Sequence, residues 1–228
     1  MDIELFYIER GAGFPLILLH GNGESSDYFK AQIEEFSEHY RVIAIDTRGH
    51  GRSPRGSAPF TLAQFAEDLK AFMDINGIAK AHVLGFSDGA NIALLFALRY
   101  PHMVEGLILN GADLTPKGVK LSVQLPIVIG YALVSAISLF DRKAIVKKEM
   151  LGLMVTQPDI RPGALSALTM PVLVIAGTRD MIKDKHTRLI ASSIPNAQLQ
   201  LIGGDHFIAA KNSAEFNATI RGFLSQNS

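Results

Sequence analysis

Seven short apolar runs, rich in valine, isoleucine and leucine, recur along the chain with stretches of helical spacing between them. That alternation restricts the fold more than any other feature, because strands joined through helices lie parallel to one another. It predicts an α/β fold around a mostly parallel sheet. The runs are residues 4–8, 16–19, 41–45, 81–86, 104–109, 172–176 and 198–202, and the helical patterns are residues 27–38, 62–76, 90–99, 185–193 and 214–223. The chain's 228 residues are 48% hydrophobic, enough for one large core, so a single domain over residues 1–228 is expected.

The alternation fails once, between Asn110-Gly111 and Met170-Pro171, where one crossover is replaced by a long insertion. The insertion is first apolar, then basic at Arg142-Lys143 and Lys147-Lys148, then rich in turn formers. Residues 112–168 are expected to form a small helical cap over the strand ends, where open α/β sheets bind ligands. Within it, residues 121–140 carry no charge and approach the length of a bilayer span. A membrane there would part the earlier strands from Asp180 and His206, so a buried or substrate-facing helix pair is expected instead.

Charge and composition remove several classes of function. Twenty-two lysines and arginines balance twenty-two aspartates and glutamates, leaving no field to gather nucleic acid. Cysteine is absent, so thiolate metal sites and cysteine nucleophiles are excluded. No two histidines are spaced as metal ligands, and the glycine pairs at Gly11-Ala12-Gly13 and Gly21-Asn22-Gly23 lack the third glycine of a nucleotide loop. The acidic start carries no secretory pattern, and a cytoplasmic enzyme without metal or cofactor is expected.

The sharpest chemical signal is Gly85-Phe86-Ser87-Asp88-Gly89, which follows the run 81–86 and opens the helical pattern at residue 90. A serine on such a strand-to-helix turn presents its hydroxyl on strained backbone, and glycines flank it where side chains would collide. A serine hydroxyl needs a base. His20, His39, His50 and His82 precede the serine, His186 sits in a helical pattern and His102 lies at the far end of the helix after Ser87. His206 follows the last strand in Gly203-Gly204-Asp205-His206-Phe207, where a loop can carry it back over the sheet. Its acid partner is expected to be Asp180, at the end of a strand and glycine turn, ahead of Asp184 and Asp205. The backbone amides of Asn22 and Asp88 are the expected oxyanion donors, each placed just after a strand end.

These features together resemble the α/β-hydrolase superfamily from end to end, and Asp46-Thr47-Arg48-Gly49-His50-Gly51-Arg52-Ser53 resembles a loop that is mainly structural in that family. The resemblance implies an eight-stranded sheet, a cap inserted after the sixth strand, no cofactor, and a Ser87, His206 and Asp180 triad with the Asn22 and Asp88 amides. It implies hydrolysis of a small acyl compound, foremost a carboxylic ester. Cleavage of carbon–carbon bonds, thioesters or lactones, cofactor-free perhydrolysis, and a low-turnover ligand sensor use the same scaffold. The Asp88 side chain is expected to face solvent in the first helical turn, the alternative being that it pairs with a substrate ammonium.

Overall fold

A computed structural model describes residues 2–227. It contains one sheet of seven strands: β1 (Tyr7–Arg10), β2 (Pro15–Leu19), β3 (Arg41–Ile45), β4 (Ala81–Phe86), β5 (Val104–Asn110), β6 (Val172–Gly177) and β7 (Gln198–Ile202). They lie in the order β1-β3-β2-β4-β5-β6-β7, and all neighbours are parallel except the β1–β3 pair. Eight strands and an insertion after the sixth were implied by the family resemblance; seven are present among the described residues, the number of apolar runs in the sequence, and the insertion follows the fifth. The first run begins pairing at Tyr7 and not at residue 4. One reason is local: the Phe6 amide donates to Ser53 Oγ at 2.8 Å.

Helices cover both faces of the sheet. They are α1 (Lys30–Phe36), α2 (Leu62–Ile75), α3 (Asp88–Arg99), α4 (Leu121–Ile137), α5 (Ala144–Thr156), α6 (Asp184–Ser193), α7 (Ile208–Lys211) and α8 (Ser213–Ser225). Alternate strand residues feed two cores, as the two-residue period of a strand requires. Ile17, Val83, Leu109 and Val174 pack with α2 and α3, while Leu18, Leu84, Ile108 and Ile175 pack with α1 and α8.

The insertion holds α4 and α5, which pack against each other. The uncharged stretch 121–140 departs from expectation, because it forms one helix and a turn, and α4 contains no buried residue. Its second helix begins only after the cations Arg142 and Lys143. No helix among the described residues is long and apolar enough to cross a membrane.

The loop after β3 is held from inside. Arg48 is fully buried and donates through Nε and Nη2 to the two carboxylate oxygens of buried Asp68 in α2, each at 2.7 Å, while Nη2 also reaches Asp2 at 2.6 Å. Removing one partner of such a pair strands a charge in low dielectric. Asp68→Ala is therefore expected to lose about 3 to 5 kcal/mol of folding stability, measured as the urea midpoint; a loss under about 1 kcal/mol would show the guanidinium to be held well enough by Asp2 and backbone.

Candidate active site

Ser87 caps α3 directly after β4, with φ 54° and ψ −121°. Few residues other than glycine adopt that backbone, and its cost is of order 1 to 3 kcal/mol. The tight turn depends on close backbone approach. A Cβ on Gly89 would stand 2.0 Å from the Leu19 carbonyl oxygen, and one on Gly85 would stand 2.2 Å from the Gly89 carbonyl oxygen. The Ser87 amide donates to the Asn110 carbonyl at 2.8 Å, tying the turn to the end of β5.

His206 lies in the loop between β7 and α7, and Asp180 lies just past β6. Both are buried. The His206 Nδ1 and Asp180 Oδ1 atoms are 2.7 Å apart, and the same Oδ1 accepts the Ile182 amide at 2.9 Å. A carboxylate facing Nδ1 places the ring proton there and leaves Nε2 as the acceptor. His206 Nε2 is buried and has no hydrogen-bond partner among the described residues.

The imidazole also borders the serine turn. Its ring centroid is 4.9 Å from that of Phe86, the residue before Ser87. A Cβ at Gly111, next to the Asn110 that accepts the Ser87 amide, would meet His206 Cε1 at 2.6 Å. The structure thus joins Asp180 to His206 and sets the imidazole against Phe86, the neighbour of Ser87, with all three predicted residues just past the carboxyl ends of β4, β6 and β7; Ser87 Oγ makes no hydrogen bond to His206 Nε2 among the described residues.

Asn22 lies in the loop after β2, and Asp88 is the first residue of α3, where its amide has no intrahelical acceptor. Their side chains meet: Asn22 Nδ2 donates to Asp88 Oδ2 at 2.9 Å and to the Met150 carbonyl of α5 at 2.8 Å. This overturns the expectation that Asp88 faces solvent. The loop carrying Asn22 folds over the start of α3 and buries the carboxyl, which burial pushes up to about 6, against the lowering effect of the Asn22 hydrogen bond.

The remaining histidines and acids have other work. His20 is buried, with Nδ1 2.8 Å from the Gly21 carbonyl and Nε2 accepting the Thr47 amide at 3.0 Å. His186 Nε2 accepts the Leu114 amide, Asp184 pairs with Arg188, and Asp205 pairs with Lys211.

Sequence reasoning missed four residues. Tyr28 stacks on Phe86 at 4.3 Å between centroids, and its buried hydroxyl has no partner among the described residues. Met150 supplies the carbonyl that fixes Asn22. Asn91 and Asp113 bond reciprocally, Asn91 Nδ2 donating to Asp113 Oδ1 and the Asp113 amide returning to Asn91 Oδ1, each at 2.9 Å. An Asn-Asp pair 22 residues apart carries no local signal that would have joined them.

Burial pushes the Asp113 carboxyl up to about 7, with the nearby Asp88 raising it further and Asn91 lowering it. The folded protein holds a proton that the unfolded chain releases near pH 4, so stability falls as pH climbs from about 4 to about 7 and stays reduced above that. Asp113→Asn keeps the acceptor for Asn91 and removes the titration. It is expected to unfold at higher urea than the parent at pH 8, by on the order of 2 to 4 kcal/mol, and to approach the parent at pH 4.5. Parallel pH profiles for both proteins would assign the titration elsewhere.

The sequence profile of the α/β hydrolase fold matches residues 15–134. The chain belongs to that family. A 2-hydroxymuconate semialdehyde hydrolase of Pseudomonas sp. strain CF600 is 30% identical over 96% of this chain and 89% of its own length. A protein of Azorhizobium caulinodans named for carbamate hydrolysis is 36% identical over 111 residues, a match spanning 48% of this chain and 42% of that protein. Among solved structures, a thermophilic esterase from Thermogutta terrifontis superposes with a TM-score of 0.80 at 24% identity, over 99% of this chain and 95% of the other, a likeness of fold.

Proposed function

We propose that this α/β hydrolase cleaves a small acyl compound, foremost a carboxylic ester, with Ser87 as nucleophile, His206 as base and Asp180 as acid. In this reading residues 1–228 form one domain, residues 112–168 cap the strand ends, and the enzyme works in the cytoplasm without a cofactor. The observation that carries it is the buried His206–Asp180 contact of 2.7 Å, with an unpartnered Nε2, beside a serine held at positive φ.

The chemistry follows from those positions. His206 Nε2 takes the proton of Ser87 Oγ as that oxygen bonds to the acyl carbon. Negative charge moves to the former carbonyl oxygen, toward the amides of Asn22 and Asp88. The leaving oxygen takes the proton from His206 as its bond to carbon breaks, giving an acyl-enzyme. A water deprotonated by His206 then attacks that ester, and Ser87 departs with the proton. Asn22 and Asp88 have a second task through their side chains, since their mutual hydrogen bond joins the two loops that carry the donor amides. The contact from Asn22 to Met150 couples that clamp to the proposed cap.

Carbon–carbon hydrolysis is the second reading, favoured by similarity to the 2-hydroxymuconate semialdehyde hydrolase over 96% of this chain. The test pairs fluorophosphonate labelling and peptide mapping with turnover of p-nitrophenyl esters of increasing chain length and of a ring-fission dienoate. Ester turnover with modification confined to Ser87 is the expected result. Dienoate turnover far above ester turnover would favour the second reading, and failure of folded protein to label at Ser87 would overturn both.

A further inference from the structure

The α4–α5 hairpin displays apolar surface with no cover. Leu121, Leu125, Ile129, Leu133 and Ile137 recur every four residues along α4 and are 52 to 70% exposed. At the tip, Leu139 is 77% and Phe140 is 94% exposed, and Ile145 and Val146 at the start of α5 are 40 and 43% exposed. Bulky apolar residues on a protruding tip cost solvation in water and mark a surface that meets another phase or partner.

Charge decides between partners. The chain as a whole carries no net charge, yet residues 117–148 hold six lysines and arginines and one acid, Asp141. Four of those cations, Arg142, Lys143, Lys147 and Lys148, adjoin the apolar tip, and no salt bridge engages them among the described residues. Asp141 turns its carboxylate onto the Lys143 amide at 2.9 Å. A second copy of the chain docked tip to tip would add like charge to like. An anionic bilayer surface supplies what this patch lacks, an apolar layer beneath a sheet of negative headgroups.

We propose that the α4–α5 hairpin docks the protein on anionic lipid bilayers, with Leu139 and Phe140 entering the headgroup boundary and the flanking cations resting on the lipid charges. The helix lies at the surface; it does not span. The tip at Leu139 and Phe140 makes no hydrogen bond to the Ser87 turn among the described residues; the hairpin meets the site farther along α5, where the Met150 carbonyl accepts from Asn22.

Sedimentation with sucrose-loaded vesicles of phosphatidylcholine, with and without about a third phosphatidylglycerol, tests the proposal. Binding to the anionic vesicles is expected, weakened by added salt and much reduced on neutral ones. Lys143→Glu with Lys147→Glu is expected to weaken it by well over tenfold, since each cation near such a surface is worth about a factor of five. Phe140→Asp should also release the protein, while its melting temperature and its turnover of a soluble p-nitrophenyl ester stay at parental values. Absence of binding to anionic vesicles overturns the proposal, as does binding that both variants retain. So does a parent dimer, seen by light scattering, that Leu133→Asp splits while vesicle binding is absent.

Discussion

Ser87→Ala is expected to lower kcat by about four to six orders of magnitude and to abolish fluorophosphonate labelling, with the fold intact. The size follows from what is removed. Alanine leaves the Asn22 and Asp88 amides and the His206–Asp180 pair in place, so residual turnover measures donors and binding alone. Ser87→Gly is the companion variant. It makes the same chemical deletion but relieves the backbone at φ 54°, so its stability should equal or exceed that of Ser87→Ala by about 1 kcal/mol. Both variants should melt cooperatively. Turnover by either above about one percent of the parent's, well outside the expected range, would mean that Ser87 is not the nucleophile.

Much of this architecture was legible because the relevant physics is local. The run 81–86 reads as a strand, and the helical pattern after it starts in the right place, so the sequence alone puts Ser87 on a turn between them. The placement of Asp180 and His206 was legible for the same reason, each following an apolar run at the same edge of a parallel sheet. What stayed hidden depends on segments distant in sequence. The side-chain bond between Asn22 and Asp88 joins residues 66 apart, and the Asn22–Met150 contact joins residues 128 apart. Both arise because the loop after β2 closes over α3 and meets α5, an event with no periodic signature. The Asp88 side chain was misread for that reason: dipole arguments favour an acid at a helix start but say nothing about what will cover it.

Apolar patterning misled in a different way. An uncharged helix is expected to be buried, yet α4 exposes most of its large side chains. The sequence reports an apolar surface, not that this chain's own sheet must hide it. The basic residues that follow it carry the missing information.

Asp180→Asn is expected to cost kcat about four orders of magnitude at neutral pH while leaving the fold in place. The aspartate Oδ1 takes both the His206 Nδ1 proton and the Ile182 amide. If the asparagine keeps its oxygen on the Ile182 amide and turns its NH₂ toward the ring, Nδ1 must become the acceptor and the proton moves to Nε2. A protonated Nε2 cannot receive the Ser87 proton, so the loss falls on kcat more than on KM. Among the described residues no other acid is hydrogen-bonded to His206. Asp205 holds Lys211 and the Phe207 amide, Asp184 pairs with Arg188, and Asp113 is bonded to Asn91. Steady-state kinetics with a fixed p-nitrophenyl ester, read beside the melting temperature, decides the matter. An Asp180→Asn enzyme within tenfold of the parent, far above the expected residue of activity, would mean that the 2.7 Å contact organises the loop rather than the reaction.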